Sequence, residues 1–307
     1  MKAALLLQGA SNPVLEIDDV PLPKPLTGEL LIKVAAAGVI PSELQWYPTT
    51  HTKEGKPRLR AIPGHEFSGV ISALGPNTKG FSIGDEVFGM SDWFADGATA
   101  EYCITLPAGI ARKPAKLSHV TAASVPISAL TAWQGLFTRA NLQCSESILI
   151  HGAAGAVGAY VVQLAKLHGA EVTATASTHS LDFVASLGAD TVIDHRARPF
   201  ETGLKPFDVI FDTVGCDTLR RSWPLLKPSG RMVTIAADSE GVADGRVKQA
   251  FFIVEPNHDQ LADIAVLIGG GSLRSFVAAE LPLAKAPAAY AGTATRTNPH
   301  GKIVIVL

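Results

Sequence analysis

The sequence predicts an α/β protein in which a compact β domain accompanies a doubly wound parallel sheet. Short β-rich runs broken by proline and glycine fill about the first hundred residues, and strands alternate with helices beyond residue 148. At the junction of a buried strand and an amphipathic helix stands a glycine-spaced turn, His151-Gly152-Ala153-Ala154-Gly155-Ala156-Val157-Gly158. The 307 residues are 47% apolar and 18% charged, with 28 Gly and 20 Pro, enough for two cored domains with many turns.

In the first stretch, Leu30–Val34, Gly69–Ser72 and Asp85–Phe88 read as strands, separated by Pro41, Pro57, Pro63-Gly64, Gly75-Pro76 and Gly80. Ser118 to Phe137 reads as helical, interrupted at Pro126. Ile148–Ile150 is a buried strand, and Val157, Val161, Leu164 and Ala165 follow at helical spacing, with Gly169 as the C-terminal cap. Val172–Ala176 is the next strand, followed by a helix ending at Gly188. Further strands are expected at Thr191–Ile193, Val209–Phe211, Met232–Ile235 and Phe251–Val254, the last closing the parallel sheet. Lys302–Val306 is a strand with no sheet of its own and is expected to return to the N-terminal β domain.

The net charge of −2, with both signs interspersed, argues against nucleic acid as a partner. No apolar run is long enough to span a bilayer, so no membrane partner is expected. The opening Met1–Leu7 run stops at Gln8-Gly9 without a cleavage site and reads as a first strand, not a leader. Cys103, Cys144 and Cys216 are odd in number and far apart, which suggests free thiols in a reducing, cytoplasmic compartment. Cys103, within a strand, reads as packing.

The turn carries the functional signal. Glycines at 152, 155 and 158 let backbone approach a pyrophosphate, and the N–H groups that open the following helix bind its charge. The match departs from G-x-G-x-x-G, because Ala153 occupies the first glycine position. In NAD-binding units an acid near the end of the second strand binds the ribose hydroxyls; here the chain reads Thr175-Ala176-Ser177-Thr178-His179, with none. Ser177, Thr178 and His179, with Arg196 beyond the third strand, suit a 2′-phosphate, and NADP(H) is the expected cofactor. Ser177 and Thr178 equally suit capping of the next helix.

These residues, with Gly64-His65-Glu66, Gly84-Asp85-Glu86-Val87, Ala129-Leu130-Thr131-Ala132, Phe207–Asp212 and Gly301-Lys302-Ile303-Val304, give a chain that resembles the medium-chain dehydrogenase/reductase superfamily, in its zinc-independent, NADP-dependent quinone oxidoreductase-like branch. The resemblance implies a GroES-like β-barrel domain from residues 1–117 and 263–307 and a Rossmann domain from 118–262. It also implies that Thr131, Thr213, Ile235 and the Phe252–Val254 region lie near the cofactor, and that two copies join sheet edges through Phe251–Val254 as a homodimer.

Zinc members of that superfamily carry a cysteine a few residues after the segment matching Ala37-Gly38-Val39; here Ile40-Pro41-Ser42-Glu43 follows. The stretch from Gly89 to Tyr102 has no cysteine for a structural zinc lobe. His65 and Glu66 alone do not make a tetrahedral site and read as bonded within their domain, so no zinc is expected. Without ligands for a Lewis acid, reduction of an electrophilic acceptor is easier than alcohol oxidation. A quinone or α,β-unsaturated carbonyl needs hydride in register and a donor for the developing oxyanion. The expected cleft is lined by residues near Ile40, Trp46, Tyr47 and Thr131. Tyr47 is the candidate phenolic donor, Trp46 a stacking surface, and Ile40 stands where related reductases carry asparagine. The basic loop with Lys53, Lys56, Arg58 and Arg60 reads as a solvated face or as a guide for an anionic substrate. An enoyl-thioester reductase and a non-catalytic NADPH-binding redox sensor or structural protein are the rival readings.

Overall fold

The computed structural model describes residues 1–7 and 13–307; the Gln8-Gly9 stop lies outside them. In chain order the strands are β1 (Lys2–Leu7), β2 (Val14–Asp19), β3 (Leu30–Gly38), β4 (Glu66–Leu74), β5 (Glu86–Met90), β6 (Tyr102–Thr105), β7 (Ile110–Arg112), β8 (Ser147–His151), β9 (Glu171–Ala176), β10 (Thr191–Asp194), β11 (Phe207–Asp212), β12 (Leu226–Thr234), β13 (Val277–Pro282) and β14 (Lys302–Val306). The chain forms two compact units, Met1–Ile127 with Pro256–Leu307, and Ser128–Glu255. The helical stretch around His119–Ala123 and the start of the helix His258–Gly269 therefore go with the first unit, not with the nucleotide unit to which the sequence division at 117/118 and 262/263 assigned them.

The first unit is built on a mixed sheet ordered β13-β14-β3-β4-β5-β7, with β6 also on β3, and a β1-β2 ribbon beside it. Strand β14 runs antiparallel to β3, placing Val304 opposite Gly38 and Val306 opposite Ala36, so the tail does return to the N-terminal strands. Leu30, Ile32, Val34, Phe67, Ile71 and Val87 form one buried cluster of this sheet.

The second unit carries a five-stranded sheet in the order β10-β9-β8-β11-β12, each neighbouring pair parallel. Both faces of such a sheet are covered, which is why its strands read as continuous apolar runs: Ile148, Leu149 and Ile150 are all fully buried. The chain reverses its direction of travel across the sheet between β8 and β11, and ligands of doubly wound folds sit beyond the strand ends at that point.

One expected strand does not form. Phe251 makes a single bridge to Thr234, with the Phe252 N–H on the Thr234 carbonyl at 3.4 Å, and the segment to Val254 forms no strand. The cause lies in the next residue: Glu255 donates its N–H to Gln134 Oε1 (3.0 Å) and accepts from Gln134 Nε2 (2.8 Å), and Pro256 comes next with no N–H to give. The edge of the sheet is β12. Among the described residues no helix is long and apolar enough to cross a membrane.

Candidate functional site

The glycine turn leaves β8 at His151 and reaches the helix Gly158–Leu167. Gly152 has φ +71°, and a Cβ there would press on the Thr213 hydroxyl. A Cβ on Gly158 would meet the Gly152 carbonyl and Ala153 Cα, so the helix start packs against the turn itself. No side chain caps this helix at Val157, which leaves its N-terminal dipole for a ligand anion. At the end of β11, buried Asp212 accepts the N–H groups of Val214 (3.1 Å) and Gly215 (3.0 Å) and the Thr234 hydroxyl (2.9 Å). That fixes Thr213, whose hydroxyl donates to the His151 carbonyl at 2.9 Å.

A cavity of about 650 Å3 opens over this turn. It gathers Gly152, Ala154, Gly155, Ser177, Arg196 and Thr213, all named from the sequence. Ala153 is buried beneath the turn, and Ala156, Val157 and Gly158 lead into the helix without lining the cavity. Thr178 points its hydroxyl at Asp194 (2.6 Å), and His179 lies 3.2 Å from the Ser177 hydroxyl. Thr131 and Val254 are buried, Ile235 bonds by its N–H to the Asp212 carbonyl, and Phe252 packs under Arg139; none of these lines the cavity.

Sequence reasoning missed His195, Arg198, Phe200 and Arg221, which also line the cavity. The run His195-Arg196-Ala197-Arg198 directly after β10 was the available signal; Arg221 arrives on the helix Cys216–Ser222, which only the fold brings there. Arg221 is neutralised by Glu201 (2.6 Å) and lies over the Phe200 ring at 4.8 Å. Arg196 and Arg198 have no carboxylate partner among the described residues, and no acid lines the cavity. Asp194, opposite Ala176 in the ladder, is the nearby acid; the Thr178 hydroxyl and the Arg196 N–H hold its carboxyl below the usual range.

His151 forms part of the cavity wall, nearly fully buried. Ser222 donates its hydroxyl to the Thr218 carbonyl (2.7 Å), so His151 Nε2 donates to Ser222 (2.9 Å) and Nδ1 accepts from Thr175 (3.1 Å). A neutral ring satisfies every bond, and burial holds the imidazole down to about 4. The unfolded ring takes up its proton near 6.5, so between those values the unfolded chain binds the extra proton and stability falls as pH falls. The loss, complete near pH 4, is on the order of 3 kcal/mol. Urea denaturation at pH 7 and pH 4.5 is expected to show it, with a flatter dependence in His151→Gln; equal slopes would remove His151 from the account.

In the first unit Ile40 precedes the 3-10 turn Pro41–Gln45. Tyr47 is exposed and stacks on His51 with ring centres 4.5 Å apart, and Trp46 meets Trp93 edge-on at 5.4 Å. Lys53, Arg58 and Arg60 each reach an aspartate (Asp92, Asp96 and Asp18), so their loop is less basic than it reads. Deeper lie two buried acids. Glu43 Oε1 accepts the Gly64 N–H (2.8 Å) and a short bond from His65 Nδ1. Glu66 pairs with Lys302 and accepts the Ile127 N–H at 3.0 Å, and a Cβ on Gly38 would strike its carboxyl. Glu43 Oε2, His65 Nε2 and Ser91 Oγ are buried with no hydrogen-bond partner among the described residues. Cys103 is buried, and burial pushes its thiol well above the usual range, in keeping with packing.

Residues 27–115 match the alcohol dehydrogenase GroES-like domain family and residues 187–305 the zinc-binding dehydrogenase family. The chain is 32% identical to the human mitochondrial NAD(P)H oxidoreductase RTN4IP1, over 90% of this chain and 81% of that protein. The chain belongs to the medium-chain dehydrogenase/reductase superfamily, in its quinone oxidoreductase-like branch. This quinone oxidoreductase-like protein is an oxidoreductase. It is 37% identical to a 2-methylene-furan-3-one reductase of Solanum lycopersicum, over 70% of this chain and 57% of that one. The quinone oxidoreductase of Coxiella burnetii superposes with a TM-score of 0.88 at 29% identity, covering 100% of this chain and 99% of that one. One of the two matched families is named for zinc. Ile40-Pro41-Ser42-Glu43 holds no thiol, His65 Nδ1 is engaged by Glu43, and Glu66 is engaged by Lys302. Among the described residues no group of three or more His, Cys, Asp or Glu is arranged to hold a metal.

Proposed function

We propose that this oxidoreductase uses NADPH, without zinc, to reduce quinones or α,β-unsaturated carbonyls. The observation that carries the reading is the acid-free cavity over the glycine turn, lined by Ser177 and by Arg196 and Arg198, which have no carboxylate partner among the described residues. A carboxylate there would repel a 2′-phosphate; two guanidinium groups attract one. Gly152 to Gly155 and the uncapped helix would take the pyrophosphate, and Thr131, Thr213, Ile235, Phe252 and Val254 would serve the rest of the cofactor. Bound reduced nicotinamide supplies a hydride. Ile40, Trp46 and Tyr47 are the proposed acceptor-side residues. The acceptor class is supported by relatives named for a quinone and for a methylene ketone. A homodimer through the β12 edge and a cytoplasmic location, where the free cysteines stay reduced, complete the proposal.

Titration with NADPH and NADH tests the cofactor. NADPH is expected to bind at least about tenfold tighter, the value of one charge-assisted hydrogen bond at its low end. Equal affinities would overturn the preference. Steady NADPH consumption with a panel of quinones and enones is the expected turnover result, and tight binding without turnover would point to a sensor.

A further inference from the structure

Asp194 closes β10 directly across the ladder from Ala176, the last residue of β9. The pairing runs one step further, with the His195 N–H on the Ala176 carbonyl at 3.2 Å. Asp194 therefore stands one strand away from the place where NAD-binding units carry their acid. The Thr178 hydroxyl, and after it the Arg196 N–H, hold its carboxyl below the usual range, so the group is an anion at neutral pH. Yet the half-buried Asp194 is not part of the cavity wall to which Ser177, Arg196 and Arg198 belong.

Both carboxylate oxygens are engaged. Oδ1 accepts the Arg196 N–H at 2.9 Å, the turn in which an aspartate bonds the backbone two residues on. The Ala197 and Arg198 N–H groups reach the Asp194 carbonyl at 3.2 and 3.4 Å. Asp194 thus organises the stretch that sets Arg196 and Arg198 on the cavity wall. Oδ2 accepts the Thr178 hydroxyl at 2.6 Å, from the short helical turn Thr178–Ser180 that follows β9. The first bond shapes the loop; the second fixes where the negative charge points. With the Arg196 bond alone, the carboxyl can turn about that one contact.

We propose that the Thr178–Asp194 hydrogen bond is a latch that sets the cofactor preference. It ties the ends of β9 and β10 together and keeps the Asp194 carboxylate out of the phosphate site. The inference rests on the NADPH reading above. Thr178 determines specificity by acting through Asp194, and Asp194 is a positioning residue for the loop that carries Arg196 and Arg198. Unlatched, the carboxylate competes with a 2′-phosphate for the two guanidinium groups and accepts the free ribose hydroxyls of NADH instead. One hydroxyl is what lets an acid stand beside an anion site.

A double-mutant cycle tests the latch, read as the ratio of the NADPH and NADH dissociation constants at low salt. Thr178→Val removes the hydroxyl and keeps the branched shape. It is expected to move the ratio toward NADH by about tenfold, the value of one charge-assisted hydrogen bond near its low end. Thr178→Ser is expected to keep the wild-type ratio. In Asp194→Asn the side chain still accepts the Arg196 N–H but carries no charge to be kept away. Adding Thr178→Val to that variant is expected to change the ratio by less than about twofold. A hydroxyl with a merely structural role would cost the same in both backgrounds, because an asparagine amide also bonds Thr178. Such an equal loss, or a Thr178→Val ratio within about twofold of wild type, would overturn the proposal. Equal wild-type affinities with the cycle intact would sink the NADPH reading alone, and a wild type that binds neither nucleotide would sink both.

Discussion

Glu66→Ala is expected to destabilise the protein by about 3–5 kcal/mol, the cost of stranding a buried charge. Lys302 is 5% exposed and Glu66 fully buried, and they lie 236 positions apart in the chain. Removing the carboxyl leaves the ammonium unpaired, takes the acceptor from the Ile127 N–H and opens a hole opposite Gly38. Urea denaturation is expected to show a lower midpoint at unchanged slope. Lys302→Met alone is expected to cost a comparable amount. The Glu66→Met/Lys302→Met pair is expected to recover much of the loss, since an apolar pair strands no charge. A loss under about 1 kcal/mol for Glu66→Ala would place the pair in the class of solvent-screened surface bridges.

The second large effect concerns the cofactor. Arg196→Ala/Arg198→Ala is expected to weaken NADPH binding by about 100-fold at low salt, taking each charge-assisted bond near its low end of about 1.5 kcal/mol because both side chains are exposed. NADH binding is expected to change less than about threefold, since it lacks the phosphate these groups would meet. Raising the ionic strength is expected to shrink the NADPH effect and leave the NADH value nearly still. Parallel losses for both nucleotides would mean that the arginines serve the pyrophosphate or the fold.

The parallel sheet was legible because buried parallel strands are written as apolar runs and the turn as glycines at fixed spacing, and both signals are local. The Phe251 strand was misread because the Gln134 amide, remote in sequence, claims the Glu255 backbone. The missing acid at the end of β9 was a sound observation, but it did not reveal that Asp194 stands on the next strand in register with Ala176. Arg198 stood in plain view in a basic run; Arg221 did not, because only the fold carries its helix to the cavity. On the other unit, Gly64-His65-Glu66 was visible as a motif. That His65 Nδ1 is held by Glu43 is set by the fold, from a segment whose spacing announces nothing.

The position of β14 between β13 and β3 has a consequence for synthesis. Residues 128–255 are continuous and can complete their sheet while the ribosome is still making the C-terminal stretch from Pro256 onward. The first unit begins earlier and finishes later. Until residues 302–306 emerge, the Ala36–Gly38 half of β3 presents an unpaired edge and Glu66 has no cation. A nascent chain therefore holds a complete five-stranded parallel sheet while β3 still has an open edge, and that edge closes only when β14 is made.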